Sequence, residues 1–136
     1  MLTLSDAART TAGVLLLTIV AVEFGGTFLL RIARGHEPAT ELQRAFFRAG
    51  HAHAGVFVTL ALVTQVFIDA ADLRGAHEAI ARQGITSAAI LVPGGFFLSV
   101  ASKGATAPNR LVALVWLGGA GLAAGVVALG VGLLQS

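Results

Sequence analysis

Imidazole is the side chain that most readily offers a lone pair to a metal at neutral pH. This chain carries two of them close together, His51 and His53, in the run Arg48-Ala49-Gly50-His51-Ala52-His53-Ala54-Gly55. The run stands where a long apolar stretch begins, and an ionisable side chain in such a place is costly without a partner. A second group calls for explanation. Glu23 lies between Val22 and Phe24, deep in another apolar stretch, where an ionised carboxylate costs about 2.5–3.5 kcal/mol on insertion scales. It is expected to be protonated, paired or facing a polar cavity. A role as acid, base or support for a ligand stands beside a structural one, a carboxyl hydrogen-bonded to a neighbouring helix. His36 and His77 fall between apolar blocks and read as ordinary loop residues.

The elements that must position these groups follow from composition. Of 136 residues, 56% are hydrophobic and only 12% charged, half the charged share of a typical globular chain. The mean hydropathy is +0.84, and the apolar residues gather in blocks of membrane-spanning length. Four spans are expected, at about Thr11–Leu30, Ala49–Ile68, Ile85–Ala101 and Leu111–Leu134. The fold class is therefore all-α, a single four-transmembrane-helix bundle over residues 1–136, in a membrane of the bacterial inner type. The first block is too long for a signal-peptide core and reads as a retained span. With no cysteine, disulfides, thiolate metal sites and thiol nucleophiles are excluded. The pI is near 10.5, but a net charge of +2 spread over loops gives no nucleic-acid footprint. Arg31, Arg34, Arg44, Arg48, Lys103 and Arg110 flank the first and third loops, against Arg9 at the N-terminus and Arg74 and Arg82 in the second loop. The positive-inside rule then turns both termini away from the cytoplasm.

Two features concern packing. Gly121 and Gly125 have the GxxxG spacing that lets helices approach closely in lipid, either within the chain or between copies. Pro93-Gly94-Gly95 in the third span implies a kink that makes room for something bulky, or tight packing against a neighbour.

On a helix, side chains advance by about 100° per residue, so His51 and His53 point roughly 160° apart and cannot share one metal. His53 is the deeper and is the expected ligand; His51 serves another face or the headgroup region. A histidine hydrogen-bonded in a helix interface is the alternative. One histidine is a poor zinc site but suffices for haem, whose porphyrin supplies four nitrogens. Arg44 and Arg48 could meet haem propionates at the bilayer surface, and Phe46, Phe47, Phe57, Phe96 and Phe97 could cover the macrocycle.

These residues resemble the styrene oxide isomerase family, small four-span membrane enzymes that hold haem b. The second span of that family opens with an Arg-Ala-His-type turn, to which Arg48-Ala49-Gly50-His51-Ala52-His53 is similar. Gly95-Phe96-Phe97-Leu98 followed by Pro108-Asn109-Arg110 is similar to its Gly-Phe-Tyr-Leu and Pro-Asn-Arg pair. The resemblance implies a homotrimer with haem b between subunits and His53 as axial ligand. Its ferric iron would polarise an epoxide oxygen so that the benzylic C–O bond opens and a 1,2-shift gives a carbonyl product. The chain departs from the pattern where the family's asparagine falls at Thr59 and its substrate-orienting tyrosine at Phe97. The expected site is thus Thr59, Phe97 and Glu23 around substrate, with His53, His51, Arg44 and Arg48 holding the cofactor. A small hydrophobic molecule dissolved in the membrane lipid is the expected substrate. Two other functions stay open: a non-enzymatic accessory or transport subunit, with Glu23 and the histidines along a polar path, and electron transfer with two histidines on haem.

Overall fold

The structure, a computed structural model, describes residues 3–136. It consists of α1 (Asp6–Ala33), α2 (Glu41–Ala70), α3 (Gly75–Ser99), a 3₁₀ turn (Arg110–Val112) and α4 (Ala113–Gln135). The all-α expectation holds, and α1, α2 and the 3₁₀–α4 segment are each long and apolar enough to cross a membrane. α3 differs because its first turns carry Glu78, Arg82 and Gln83 ahead of the apolar run from Ile85.

Helix ends follow local chemistry. The Ser5 side chain accepts from the Ala8 amide and Asp6 sits in the first turn of α1, where a carboxylate complements the helix dipole. α2 opens with a capping box, the Thr40 hydroxyl taking the Gln43 amide while the Gln43 side chain returns to the Thr40 amide. The α2–α3 reversal needs positive φ at Asp72 (50°) and Gly75 (63°), conformations suited to aspartate and glycine. The Asn109 side chain caps the 3₁₀ turn at Leu111 and donates to the Leu98 carbonyl, so the Pro108-Asn109-Arg110 segment fastens α4 to the end of α3.

Each helix packs on the next in chain order, and α1 and α4 lie at opposite ends of the row. Leu15 of α1 joins Val58 and Ala61 of α2 and Ile85 and Ala89 of α3 in one buried cluster. The first and third loops share one end of the molecule: the Thr40 hydroxyl donates to the Ala105 carbonyl at 2.6 Å, and the Gln43 amide to the carbonyls of Val100 (3.1 Å) and Ser102 (3.0 Å). At the opposite end Asp69 accepts from the Ser5 amide at 2.7 Å.

The glycines of α4 are used inside the chain. A Cβ on Gly118 would lie 2.7 Å from a methyl of Val92, and one on Gly125 2.8 Å from the Ile85 side chain. Gly121 packs against Gly84 and Ser87 of α3. The Gly121–Gly125 pair therefore seats α4 on α3, which decides between the two readings of that motif. Pro93 lies within the continuous α3 helix, and a Cβ on the neighbouring Gly95 would be 2.7 Å from the Val115 amide nitrogen. The Pro-Gly-Gly segment is thus close packing against the start of α4.

Candidate functional site

α2 carries the histidine motif, and Gly50 determines how closely α3 approaches it. A Cβ on Gly50 would stand 2.9 Å from the Phe97 ring and 3.1 Å from the Phe96 Cβ. With no Cβ there, both phenylalanines close onto α2, one on each side of the contact.

His53 lies on the Phe96 side. Its Nδ1 is 2.7 Å from the carbonyl oxygen of Ala49, one turn earlier. A carbonyl can only accept, so Nδ1 carries a proton, and in the neutral ring Nε2 is the nitrogen with the in-plane lone pair. The half-buried ring lies between Phe57, edge-on at 5.3 Å, and Phe96, tilted at 5.2 Å. Phe46 backs Phe96 edge-on at 5.5 Å. A ring whose second nitrogen is fixed by a hydrogen bond is the arrangement that orients a histidine ligand toward a metal.

His51 occupies a different place. It faces α1, where Gly25 and Gly26 make room for the imidazole; a Cβ on Gly26 would be 3.3 Å from its Cε1. Phe97 lines the same groove between α1 and α3 and stacks on Phe47 at 5.7 Å. The separation of the two histidines expected from helical geometry is therefore realised by two different partner helices.

The remaining expected residues are dispersed. Arg44 and Arg48 line a crease with Leu29, Ile32 and Ala33 of α1, and Arg44 donates to the Ala39 carbonyl at 2.6 Å. Thr59 is exposed, and its hydroxyl is taken by the Gly55 carbonyl at 2.9 Å. Glu23 is exposed on α1 beside Phe24, itself 75% exposed, so it faces outward and not into a cavity of its own chain. His53, Phe46, Phe57 and Phe96 are thus brought together, as are His51 and Phe97, and as are Arg44 and Arg48. Thr59 and Glu23 stand apart from all three groups.

Among the described residues no three His, Cys, Asp or Glu side chains gather closely enough to hold a metal ion. A metal at His53 must bring most of its own ligands, and haem is such a group. The donor chemistry of His53 fits it: one imidazole oriented by its Nδ1 bond to the Ala49 carbonyl, with aromatic walls.

One polar cluster was not legible in advance. Arg82, assigned by its charge to a loop, sits on α3 with its side chain 8% exposed. It donates to the Gln65 side chain, to Asp69 at 3.3 Å and to Glu78 at 3.2 Å. The available signals were Gln65 inside an apolar run and Glu78 four residues before Arg82, a helical ion-pair spacing.

No family model, curated protein or solved structure matches this chain.

Proposed function

We propose that this is an integral membrane protein whose four helices all cross the bilayer, that it binds haem b through His53, and that it acts on a small hydrophobic molecule. The observation that carries the reading is the 2.7 Å contact between His53 Nδ1 and the Ala49 carbonyl, which leaves Nε2 as a basic nitrogen among aromatic rings. α3 crosses as an inner helix: α2 and α4 cover it, and Arg82 finds its partners at the aqueous end.

Bound there, ferric haem supplies a Lewis acid to an oxygen atom of the substrate, and an epoxide is the substrate class that the styrene oxide isomerase resemblance implies. The chain's own residues perform the supporting work. Ala49 holds the His53 tautomer, while Phe57 and Phe96 exclude water and fix the ring. Arg44 and Arg48 face α1 while His53 faces the Phe96 side of α3. Propionate contacts from these arginines therefore require a neighbouring copy, and the homotrimer implied by the resemblance would provide one. Thr59 and Glu23, both on outward faces, would reach a shared site across the same boundary. Phe97, directed into the α1–α3 groove, has no route to His53 within its own chain.

The test is spectroscopic. Protein produced with ample haem and purified should show a Soret band that His53→Ala abolishes and His51→Ala retains. On mixing with styrene oxide, the wild type should form aldehyde and His53→Ala none. Colourless wild-type protein, or a Soret band lost with His51→Ala and kept with His53→Ala, refutes the assignment.

A further inference from the structure

Two buried side-chain polar atoms lack a hydrogen-bond partner among the described residues, Arg82 Nε and the Thr86 hydroxyl. They belong to residues four apart on α3, which are neighbours on a helix surface. Buried polar groups are almost always paired, so two orphans in adjacent turns call for one shared occupant. The Arg82 side chain is 8% exposed. Its terminal nitrogens donate to Gln65, Asp69 and Glu78, and Nε is left over.

Arg82 and Thr86 stand between two hollows. One holds about 260 Å³ and is lined by Ser5, Asp69, Asp72, Arg74 and Glu78. Ser5, Asp72 and Arg74 are exposed, so this hollow opens to water at the end of the molecule where α1 begins. The other is the groove of about 470 Å³ between α1, α2 and α3. Thr10, Thr11 and Thr86 line the end of it nearest the Ser5–Asp69–Arg82 contacts, and Val58 and Ala89 line it farther in. Thr10 is five residues past Ser5 and Thr86 four past Arg82, a rise of about 6–8 Å at 1.5 Å per residue. The groove therefore begins with hydroxyls directly behind the Arg82 cluster.

The chemistry of the two orphans selects what lies between them. Nε–H can only donate, so the occupant must accept. An anion is disfavoured because Arg82 already faces the carboxylates of Asp69 and Glu78, and a metal cation is repelled by the guanidinium itself. A small neutral molecule that accepts from Arg82 and also bonds the Thr86 hydroxyl meets both needs, and water does so in the least space. Buried waters are held by about two to four such groups, and the groove that Thr86 lines gives the room. We propose that Arg82 and Thr86 hold internal water that enters from the Asp69–Glu78 hollow, giving the groove a wet end at Thr10, Thr11 and Thr86 and a dry stretch at Val58 and Ala89. The Arg82 cluster is then a hydrated inlet as well as a tie between α2 and α3. His53 lies about 24 Å away along α2 from Asp69, so the water site does not depend on haem.

Water-edited solid-state NMR of the full-length protein in phosphatidylcholine bilayers tests the site directly. Magnetisation from water should reach Arg82 Nε and the Thr86 methyl at least threefold faster than the methyls of Val58 and Ala89. Thr86→Val keeps the shape of the side chain and removes its hydroxyl. It should slow transfer to Arg82 Nε at least threefold and lower the thermal midpoint by roughly 3–6 °C, the equivalent of about one hydrogen bond. A hydroxyl with no bound water gives the opposite result, because losing an unpaired buried hydroxyl leaves the midpoint unchanged or raised. Transfer to Thr86 as slow as to Ala89, or a Thr86→Val midpoint at or above wild type, overturns the proposal. So does faster transfer to Thr86 from lipid acyl chains than from water, which would assign that end of the groove to lipid.

Discussion

Replacing Gly84 by alanine probes the contact that holds α4 to the rest of the molecule. A Cβ at this position would lie 3.1 Å from the Gly125 Cα and 3.2 Å from its amide nitrogen, and would overlap the Gly121 carbonyl oxygen. All three are backbone atoms, so no rotamer change relieves the clash and α4 must move outward. Overpacking of this kind costs about 1–3 kcal/mol. Removing a glycine from a helix interior returns roughly 0.5–1 kcal/mol, which leaves a net loss of about 1 kcal/mol at mid-range and about 2.5 kcal/mol at most. Little of that loss is masked, because between helices in lipid the association energy comes mainly from packing. Gly130→Ala is the matched control: it lies on the same helix pair's outer side with nothing within 4 Å, so it should be neutral or stabilising by up to about 1 kcal/mol. For a domain of this size each kcal/mol corresponds to roughly 3–6 °C. Thermal unfolding in one detergent, followed by far-UV circular dichroism, should place Gly84→Ala several degrees below wild type and Gly130→Ala at or above it. Equal midpoints for the two variants would refute the backbone-contact account of α3–α4 packing.

Reporter fusions at Arg34 and Lys103 should report the same side of the membrane, because the loops that carry them are hydrogen-bonded together through Thr40 and Gln43; opposite sides would mean that α3 does not cross. Arg82→Ala removes the cation from a cluster in which Arg82 and Asp69 side chains are only 8% and 9% exposed, and should cost about 1–3 kcal/mol, because Gln65 and Asp69 lose a charged donor while Asp69 keeps its bonds from Ser5. Arg9→Ala, which breaks the exposed Arg9–Asp6 pair, should move the melting midpoint little, and equal losses in the two variants would contradict the burial of Arg82.

The site was legible only where geometry follows from the helix itself. That His51 and His53 face apart comes from two steps of about 100°, and the Nδ1 bond of His53 reaches a carbonyl one turn back on the same helix. What lies opposite each ring could not be obtained in that way. Thr59 is six residues beyond His53, yet it sits on an outward face with its hydroxyl turned back to Gly55. Phe97 directly follows Phe96, yet the two rings fall on opposite sides of Gly50, one stacked on Phe47 and the other beside His53. Adjacent residues on a helix diverge by about 100°, so a motif that is contiguous in the chain is divided between two environments.

Sequence alone determined that the chain is all-helical with apolar blocks long enough to cross a membrane. Hydropathy put the starts of α2 and α3 at Ala49 and Ile85, whereas the helices begin at Glu41 and Gly75, because their polar first turns are capped and paired instead of being apolar. Hydropathy and capping are local properties, expressed wherever Ser5, Thr40 or Asn109 precedes a suitable run. Tertiary structure decided how each helix is rotated about its axis. α4 is apolar on every side, so nothing in its own pattern says which of its glycines are buried. Backbone approach to Gly84, Ile85 and Val92 selects Gly118, Gly121 and Gly125 and leaves Gly119 and Gly130 without neighbours. Rotation of α2 likewise sends Arg44, Arg48 and His51 toward α1 and His53 toward Phe96. Arg82, which charge alone places in a loop, is drawn inward because Gln65 and Asp69 of the neighbouring helix satisfy its guanidinium. Contacts between helices depend on which shapes and polar groups meet across the gap, and that is information no single helix carries.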